Sequence, residues 1–208
     1  MTNPINTLVR IAILGDANVG KTCILHSLTN KEFNFKIQPT IGAAFSQIEI
    51  PVLDDKEHIE LQIFDCAGSE RFNSLLPMYL RGIDTVILVF SVCNRQSMDN
   101  ILNKWLNILK EHDIRYVYCV GNKTDLDFDI EHILKVFDQF EISFKIYRTR
   151  QFLTSAKTGE NIESMFLKIA EDACLRNVEP LPDDVINPKI KILQNTEETT
   201  KKLWCCNT

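Results

Sequence analysis

No apolar run in this 208-residue chain approaches the eighteen or so residues that a membrane-spanning helix needs. The opening segment, Met1-Thr2-Asn3-Pro4-Ile5-Asn6-Thr7, has neither the basic region nor the apolar core of a secretory signal. Position 2 is Thr, not the Gly that N-myristoylation requires. The chain therefore reads as made in the cytosol and kept on that side of any membrane. Positive charge is also scarce: 23 Lys and Arg against 28 Asp and Glu leave a net charge of −5 and a pI near 5.4. That argues against general nucleic-acid binding, which needs a basic footprint. None of the seven cysteines has zinc-ligand spacing. Cys23, Cys66, Cys93, Cys119 and Cys174 stand singly in mostly apolar segments and read as buried thiols of a reducing compartment. Internal repeats and low-complexity segments are missing too.

What is present is ordinary globular composition, 45% hydrophobic and 25% charged, enough for one domain with a full core. Its most specific string is Gly15-Asp16-Ala17-Asn18-Val19-Gly20-Lys21-Thr22, which fits the phosphate-binding pattern G-x-x-x-x-G-K-[ST]. Leu8 to Leu14 before it is a β-branched run of strand length, and Thr22 to Leu28 after it has helical spacing. Strand, glycine loop and helix are the context the pattern needs. The glycines let backbone N–H groups turn inward toward phosphate oxygens, with the positive end of the helix behind them. Lys21 reaches the β- and γ-phosphates in such a loop, and the Thr22 hydroxyl suits Mg²⁺.

Further along, Lys31 to Ile41 has no clean period, contains Pro39 and reads as an exposed loop. Ala43 to Val52 and His58 to Phe64 alternate apolar and polar residues around Asp54-Asp55-Lys56, the pattern of an antiparallel hairpin. Thr85 to Val92 is the near-continuous apolar run of a central parallel strand. Ser97 to His112 predicts an amphipathic helix, Tyr116 to Val120 a buried strand, and Ile130 to Phe140 another helix. Ile142 to Leu153 should hold the last strand and Ile162 to Leu175 the last helix. The expected fold is α/β, six strands in a mostly parallel sheet with helices on both faces. Residues 1–176 form the domain, and 177–208, with mixed charge, prolines and no period, read as a flexible tail.

In such sheets ligands bind beyond the carboxyl ends of the strands, and every candidate motif falls at such an end. Asp65-Cys66-Ala67-Gly68 follows the hairpin: Asp65 can hold the metal or a water on it, and the Gly68 N–H can meet a γ-phosphate. Asn122-Lys123-Thr124-Asp125 follows the Tyr116 strand. The Asp125 carboxylate can accept from both N1–H and the 2-amino group of guanine. Adenine offers no such donor pair and leaves a buried carboxylate unpaired, a large discrimination. Ser155-Ala156-Lys157 adds a backbone N–H and a Lys stem beside the same base.

GDANVGKT, PTIG, DCAG, NKTD and TSAK occur in the order and approximate spacing of the five motifs of Ras-like small GTPases, and the resemblance covers residues from about 8 to 175. It implies a P-loop NTPase of small-G-domain type that binds GTP or GDP with Mg²⁺. The nucleotide would lie on Gly15, Ala17, Asn18, Val19, Gly20, Lys21, Thr22 and Cys23, with Phe33 against the base. Thr40, Gly68, Asn122, Lys123, Asp125, Ser155, Ala156 and Lys157 would complete the site. Thr22, Thr40 and Asp65 would hold the metal, and Lys21, Gly68 and residue 69 would serve hydrolysis. Residues from about 33 to 42 and 66 to 79 would be the two switches, relaxing when the γ-phosphate leaves.

Within that superfamily the chain resembles the Rab family, through TIGAAF, LQIFDCAGSERF and PMYLRG. The first and third look most like its early-endosomal branch. The aromatic trio that meets effectors maps to Phe45, Phe64 and Tyr79, with Phe64 where Trp is usual. The ending Trp204-Cys205-Cys206-Asn207-Thr208 is the C-C-x-x pattern for geranylgeranylation of both cysteines. Two lipids anchor stably where one is marginal, and residues 179–208 offer no polybasic patch to assist. The resemblance therefore implies a vesicle-trafficking switch on the cytoplasmic face of an intracellular membrane, endosomal in type by the strings above, with a chaperoned cytosolic pool. Its partners would be effectors, an exchange factor, an activating protein, and Rab escort protein or GDP-dissociation inhibitor, and no nucleic acid.

The informative departure is Ser69, where small GTPases place the Gln that orients the attacking water. Ser falls short of that point, so unaided hydrolysis should be slow. Asn18 occupies a loop position where it can take the left-handed conformation of a Gly. Ile37 replaces the Tyr that covers the γ-phosphate in many relatives of the Ras type. Two other readings stand beside the prenylated GTPase: a GTP-bound membrane scaffold with little useful hydrolysis, and a P-loop phosphotransferase or ATPase. NKTD with SAK argues against the last.

Overall fold

The computed structural model describes residues 7–29, 38, 40–52, 57–69, 74–145 and 147–176. Its strands are β1 (Thr7–Leu14), β2 (Ala43–Val52), β3 (Glu57–Cys66), β4 (Thr85–Ser91), β5 (Tyr116–Asn122) and β6 (Arg148–Thr154). The helices are α1 (Lys21–Leu28), α2 (Leu76–Leu80), α3 (Arg95–Asn100), α4 (Leu106–Leu109), α5 (Ile130–Ser143) and α6 (Ile162–Arg176). A π-helical turn, Ile101–Trp105, joins α3 to α4. The six strands form one sheet in the order β2-β3-β1-β4-β5-β6. Every pairing is parallel except β2 with β3, the expected hairpin.

Strand period explains the two faces. On β1, Val9, Ile11 and Ile13 turn to one side and Ala12 and Leu14 to the other; on β4, Ile87 and Val89 oppose Val86, Leu88 and Phe90. The first side is covered by Ile24 and Leu25 of α1 and by Ile162, Met165, Phe166 and Ile169 of α6. The second is covered by Leu76 of α2, Met98 of α3, Trp105, Leu109 of α4, and Ile133 and Phe140 of α5. β4 is buried at every position, as a central strand between two helical layers must be. No helix among the described residues is long and apolar enough to cross a membrane. By its contacts the chain divides into two units, Met1–Cys174 and Leu175–Thr208.

Several expectations are corrected. Ile142 and Ser143 do not begin the last strand but close α5, whose apolar stripe continues to Phe140 and the stacked Phe144; β6 starts only at Arg148. The helix expected from Ser97 begins at Arg95, because the Asn94 side chain accepts from Ser97 N–H and caps it, and it ends at Leu109. β5 runs on through Gly121 and Asn122. The short α2 has no counterpart in the sequence reading: five residues with Pro77 in the first turn give too little pattern. Of the cysteines read as buried, Cys66 and Cys119 are; Cys23 and Cys174 are half-buried, and Cys93 is exposed in the turn after β4. The hairpin turn at 54–56, most of the loop 31–41 including Phe33 and Ile37, residues 70–73 of the expected second switch, and the tail with Cys205 and Cys206 lie outside the described residues.

Candidate functional site

The ends of β1, β3, β5 and β6 converge, and the loop from Gly15 to Gly20 lies among them. Its backbone is one that few side chains tolerate: Gly15, Asn18 and Gly20 have φ of 139°, 63° and 99°. A Cβ at Gly15 would meet the Val89 carbonyl oxygen at 2.1 Å, and one at Gly20 would meet Asn122 Nδ2 at 2.3 Å. Both positions therefore require glycine on two counts. Asn18 adopts the left-handed conformation expected of it.

Lys21, at the start of α1, folds back over this loop. Its ammonium donates to the carbonyl oxygens of Gly15 at 2.9 Å and Asp16 at 2.7 Å. The side chain is buried, and burial draws its pKa down to about 8 against the raising pull of Asp65 and Asp16. A buried ammonium held by neutral carbonyls is a receptor for an anion of phosphate type. Gly68 closes the cradle: a Cβ there would lie 2.4 Å from both the Asp16 carbonyl oxygen and Lys21 Nζ.

Beside Lys21, three oxygen-bearing side chains meet from three separate segments. Thr22 Oγ1 donates to Asp65 Oδ2 at 2.6 Å and lies 3.0 Å from Thr40 Oγ1, and Thr40 Oγ1 donates to Asp65 Oδ2 at 3.5 Å. Asp65 is fully buried, and its Oδ1 has no hydrogen-bond partner among the described residues. Burial pushes its carboxyl above the usual range, while Thr22 and Lys21 pull the other way. An all-oxygen donor set with one orphaned carboxylate oxygen fits a hard divalent cation such as Mg²⁺. The neighbouring Cys66 thiol is pushed up to about 12 by its burial, then by Asp65, and stays protonated.

The other end of the loop is held by the NKTD segment. Asn122 Nδ2 donates to the Val19 carbonyl at 2.9 Å, and Lys123 Nζ donates to the Asn18 carbonyl at 2.7 Å. Asn122 Oδ1 accepts from the Ala156 N–H at 3.0 Å and from Thr154 Oγ1 at 3.4 Å, tying β5 to β6. Asp125 receives Ser155 Oγ at 2.7 Å and faces Lys157 Nζ at 3.3 Å. Burial raises its pKa slightly, but the bonds from Ser155 and Lys157 outweigh it and hold the carboxylate below its usual range. An ionised, acceptor-only group is what the Watson–Crick donor edge of guanine demands.

On a different face, Phe45 and Phe64 are directly paired across β2 and β3 with ring centroids 5.3 Å apart. Phe45 is 54% exposed. Tyr79 of α2 packs on the same core layer as Phe64, and its hydroxyl would sit 3.0 Å from a Cβ at Gly42. Ser69 is half-buried at the start of the segment after Gly68.

Three residues of this region escaped the sequence reading. Asp16 sends its carboxylate to Asn100 Nδ2 at 2.6 Å and to Trp105 Nε1 at 3.0 Å. Trp105 carried only the signal of a core position on an amphipathic helix. The Asp within the loop pattern was the one available hint.

The sequence profile of the Ras family matches residues 10–175. Ras-related protein RABE1e of Arabidopsis thaliana is 34% identical across 96% of this chain and 93% of its own length. Ras-related protein Rab-10 of Diplobatis ommata is 37% identical across 85% and 86%, and Ras-related protein Rab-8B of Homo sapiens 32% across 99% and 99%. With the loop, the oxygen cluster and the strand-end motifs in one place, the chain belongs to the Ras family, among its Rab-related members.

Proposed function

We propose that this chain is a guanine-nucleotide switch of the Rab type whose GTP form is long-lived because Ser69 stands at the water-positioning site. Family membership makes it a GTP-binding switch of membrane trafficking. Gly15 to Cys23 would wrap the phosphates, Lys21 and the Gly68 N–H would meet the γ-phosphate, and Asn122, Lys123, Asp125, Ser155, Ala156 and Lys157 would hold the base. Thr22, Thr40 and Asp65 would hold Mg²⁺, which supplies charge neutralisation between the β- and γ-phosphates. The observation that carries the reading is the meeting of Thr22, Thr40 and Asp65 beside Lys21. Loss of the γ-phosphate would remove the reason for Thr40 and Gly68 to stay at this corner.

A Ser side chain is two heavy-atom positions shorter than Gln, so it reaches the attacking water poorly and unaided hydrolysis is slow. Single-turnover hydrolysis by the unaltered protein and by Ser69→Gln tests this. The Gln variant should hydrolyse roughly tenfold faster or more, since a positioned group contributes about a hundredfold and upward; equal rates would sink the assignment. An activating protein that brings its own Arg and Gln would still stimulate the unaltered chain. If it does not, the second reading, a GTP-bound scaffold, takes over.

Effectors would read Phe45, Phe64 and Tyr79, and exchange factor, activating protein and GDP-dissociation inhibitor or escort protein complete the partners typical of the family. Geranylgeranyl groups on Cys205 and Cys206 would hold residues 1–176 to the cytoplasmic face of an intracellular membrane through the 177–208 tail. The early-endosomal branch is the one that TIGAAF and PMYLRG resemble.

A further inference from the structure

The first half of the phosphate loop is fastened to the helical layer by a single carboxylate. Asp16 Oδ2 accepts from Asn100 Nδ2 at 2.6 Å, and Oδ1 accepts from Trp105 Nε1 at 3.0 Å. Lys104 Nζ stands 3.7 Å from Oδ1 and 4.6 Å from the centre of the Trp105 ring, so it joins both. The same residue's backbone carbonyl receives the Lys21 ammonium at 2.7 Å. Asp16 thus links helix and loop lysine through one Cα.

The π turn explains how Asn100, the last residue of α3, and Trp105, five positions on, supply both donors. At about 100° per residue an α-helix sets positions five apart roughly 140° out of line. A turn closed by i→i+5 hydrogen bonds is wider and brings them much closer to one line, roughly 50° apart. Asn100 lies just before Ile101–Trp105 and Trp105 at its end, so the irregular turn aims both side chains at the same carboxylate. Trp105 is itself 1% exposed in the core, so its N–H direction is fixed by packing. The loop's second half is held separately, by Asn122 on Val19 and Lys123 on Asn18.

We propose that Asp16 is a positioning residue for the nucleotide: clamped by Asn100 and Trp105, it holds the first turn of the phosphate loop in its binding conformation, so that loosening the clamp speeds nucleotide release. The inference rests on the guanine-nucleotide reading of the site. Preorganised N–H groups lose no binding free energy to loop ordering, and glycines such as Gly15 and Gly20, held here at positive φ, have backbone freedom that the clamp restricts.

The test is the dissociation rate of a fluorescent GDP analogue from Asp16→Ala, Asp16→Asn and Trp105→Phe. Tyr118→Phe is the control: it removes the hydrogen bond to Asp172 at 2.9 Å, away from the loop. The Asp16 variants should release about ten- to a hundredfold faster, the range expected for bonds to a charged group, and Trp105→Phe less so. Asp16→Asn with Trp105→Phe should fall short of the product of the two single effects, because both break the same clamp. A second readout is spectroscopic. The chain has two tryptophans, so in a Trp204→Phe background the Trp105 emission should change when GDP is stripped and restored, and Asp16→Ala should abolish that change. Release no faster than in Tyr118→Phe, or emission indifferent to nucleotide, would overturn the inference. An unaltered protein that holds no guanine nucleotide would overturn the reading of the site and the clamp with it; a tight parent with an unchanged Asp16→Ala rate overturns the clamp alone.

Discussion

Asp125 shows how much one side chain decides. Both of its oxygens face donors, Ser155 Oγ at 2.7 Å and Lys157 Nζ at 3.3 Å, so the group stays ionised and is aimed without a long side chain to order. Asp125→Asn replaces an acceptor by a donor at one of the two positions guanine needs. It should weaken GDP binding about a hundredfold or more and favour xanthosine diphosphate, whose 2-oxo group accepts; competition titration against the two nucleotides checks this. At this scale the site was legible where chemistry forces the residue type. Gly15 and Gly20 must lack a Cβ, Lys21 and Asp65 must carry charge, and Asn18 was readable as the tolerated exception. Asp16 was not read, because nothing in a loop pattern says which helix a carboxylate will grip.

At the scale of elements, periodicity located β1 to β5 and α6 closely, since each has one or two buried faces that write a period into the sequence. It failed where the chain is short or irregular. The five-residue α2 has no period, and the π turn between α3 and α4 looks from sequence like unbroken helix because the extra residue is absorbed without a Gly or Pro. The limits of β6 were blurred by Ile142 and Phe144, apolar residues that serve the end of α5 and the layer behind it. β6 is fastened instead by charge: Asp172 of α6 accepts from Arg150 Nε at 2.5 Å and Nη2 at 2.8 Å, and from the Tyr118 hydroxyl at 2.9 Å. Asp172→Ala should cost about 1 kcal/mol, because it removes an acceptor shared by the exposed Arg150 guanidinium and the Tyr118 hydroxyl. Denaturant unfolding measures it, and nucleotide release should be unaffected because no phosphate-loop residue is touched.

For the whole molecule, the sheet gathers four strand ends so that segments far apart in sequence share one ligand. The contact of Thr40 with Thr22 and Asp65, and of Gly68 with Asp16 and Lys21, joins both proposed switch segments to the loop. The order of motifs along the chain carried this convergence because parallel crossovers leave no other place for the loops to go. The proposed lipid anchor belongs to the same scale. With Cys205 and Cys206 both changed to Ser, the protein should move from the membrane pellet to the soluble fraction of cells, while either single change should leave a reversible, partial association. Fractionation with immunoblotting reads this, and a pellet that persists without both cysteines would point to another anchor.

The convergence itself is tested most directly by nucleotide competition on one nucleotide-free preparation, with Mg²⁺ and after its chelation. If loop, oxygen cluster and Asp125 form one site, GTP and GDP bind at least about a thousandfold more tightly than ATP, and chelation weakens both. ATP binding as tight as GTP, or guanine nucleotide held equally well without Mg²⁺, would contradict the account.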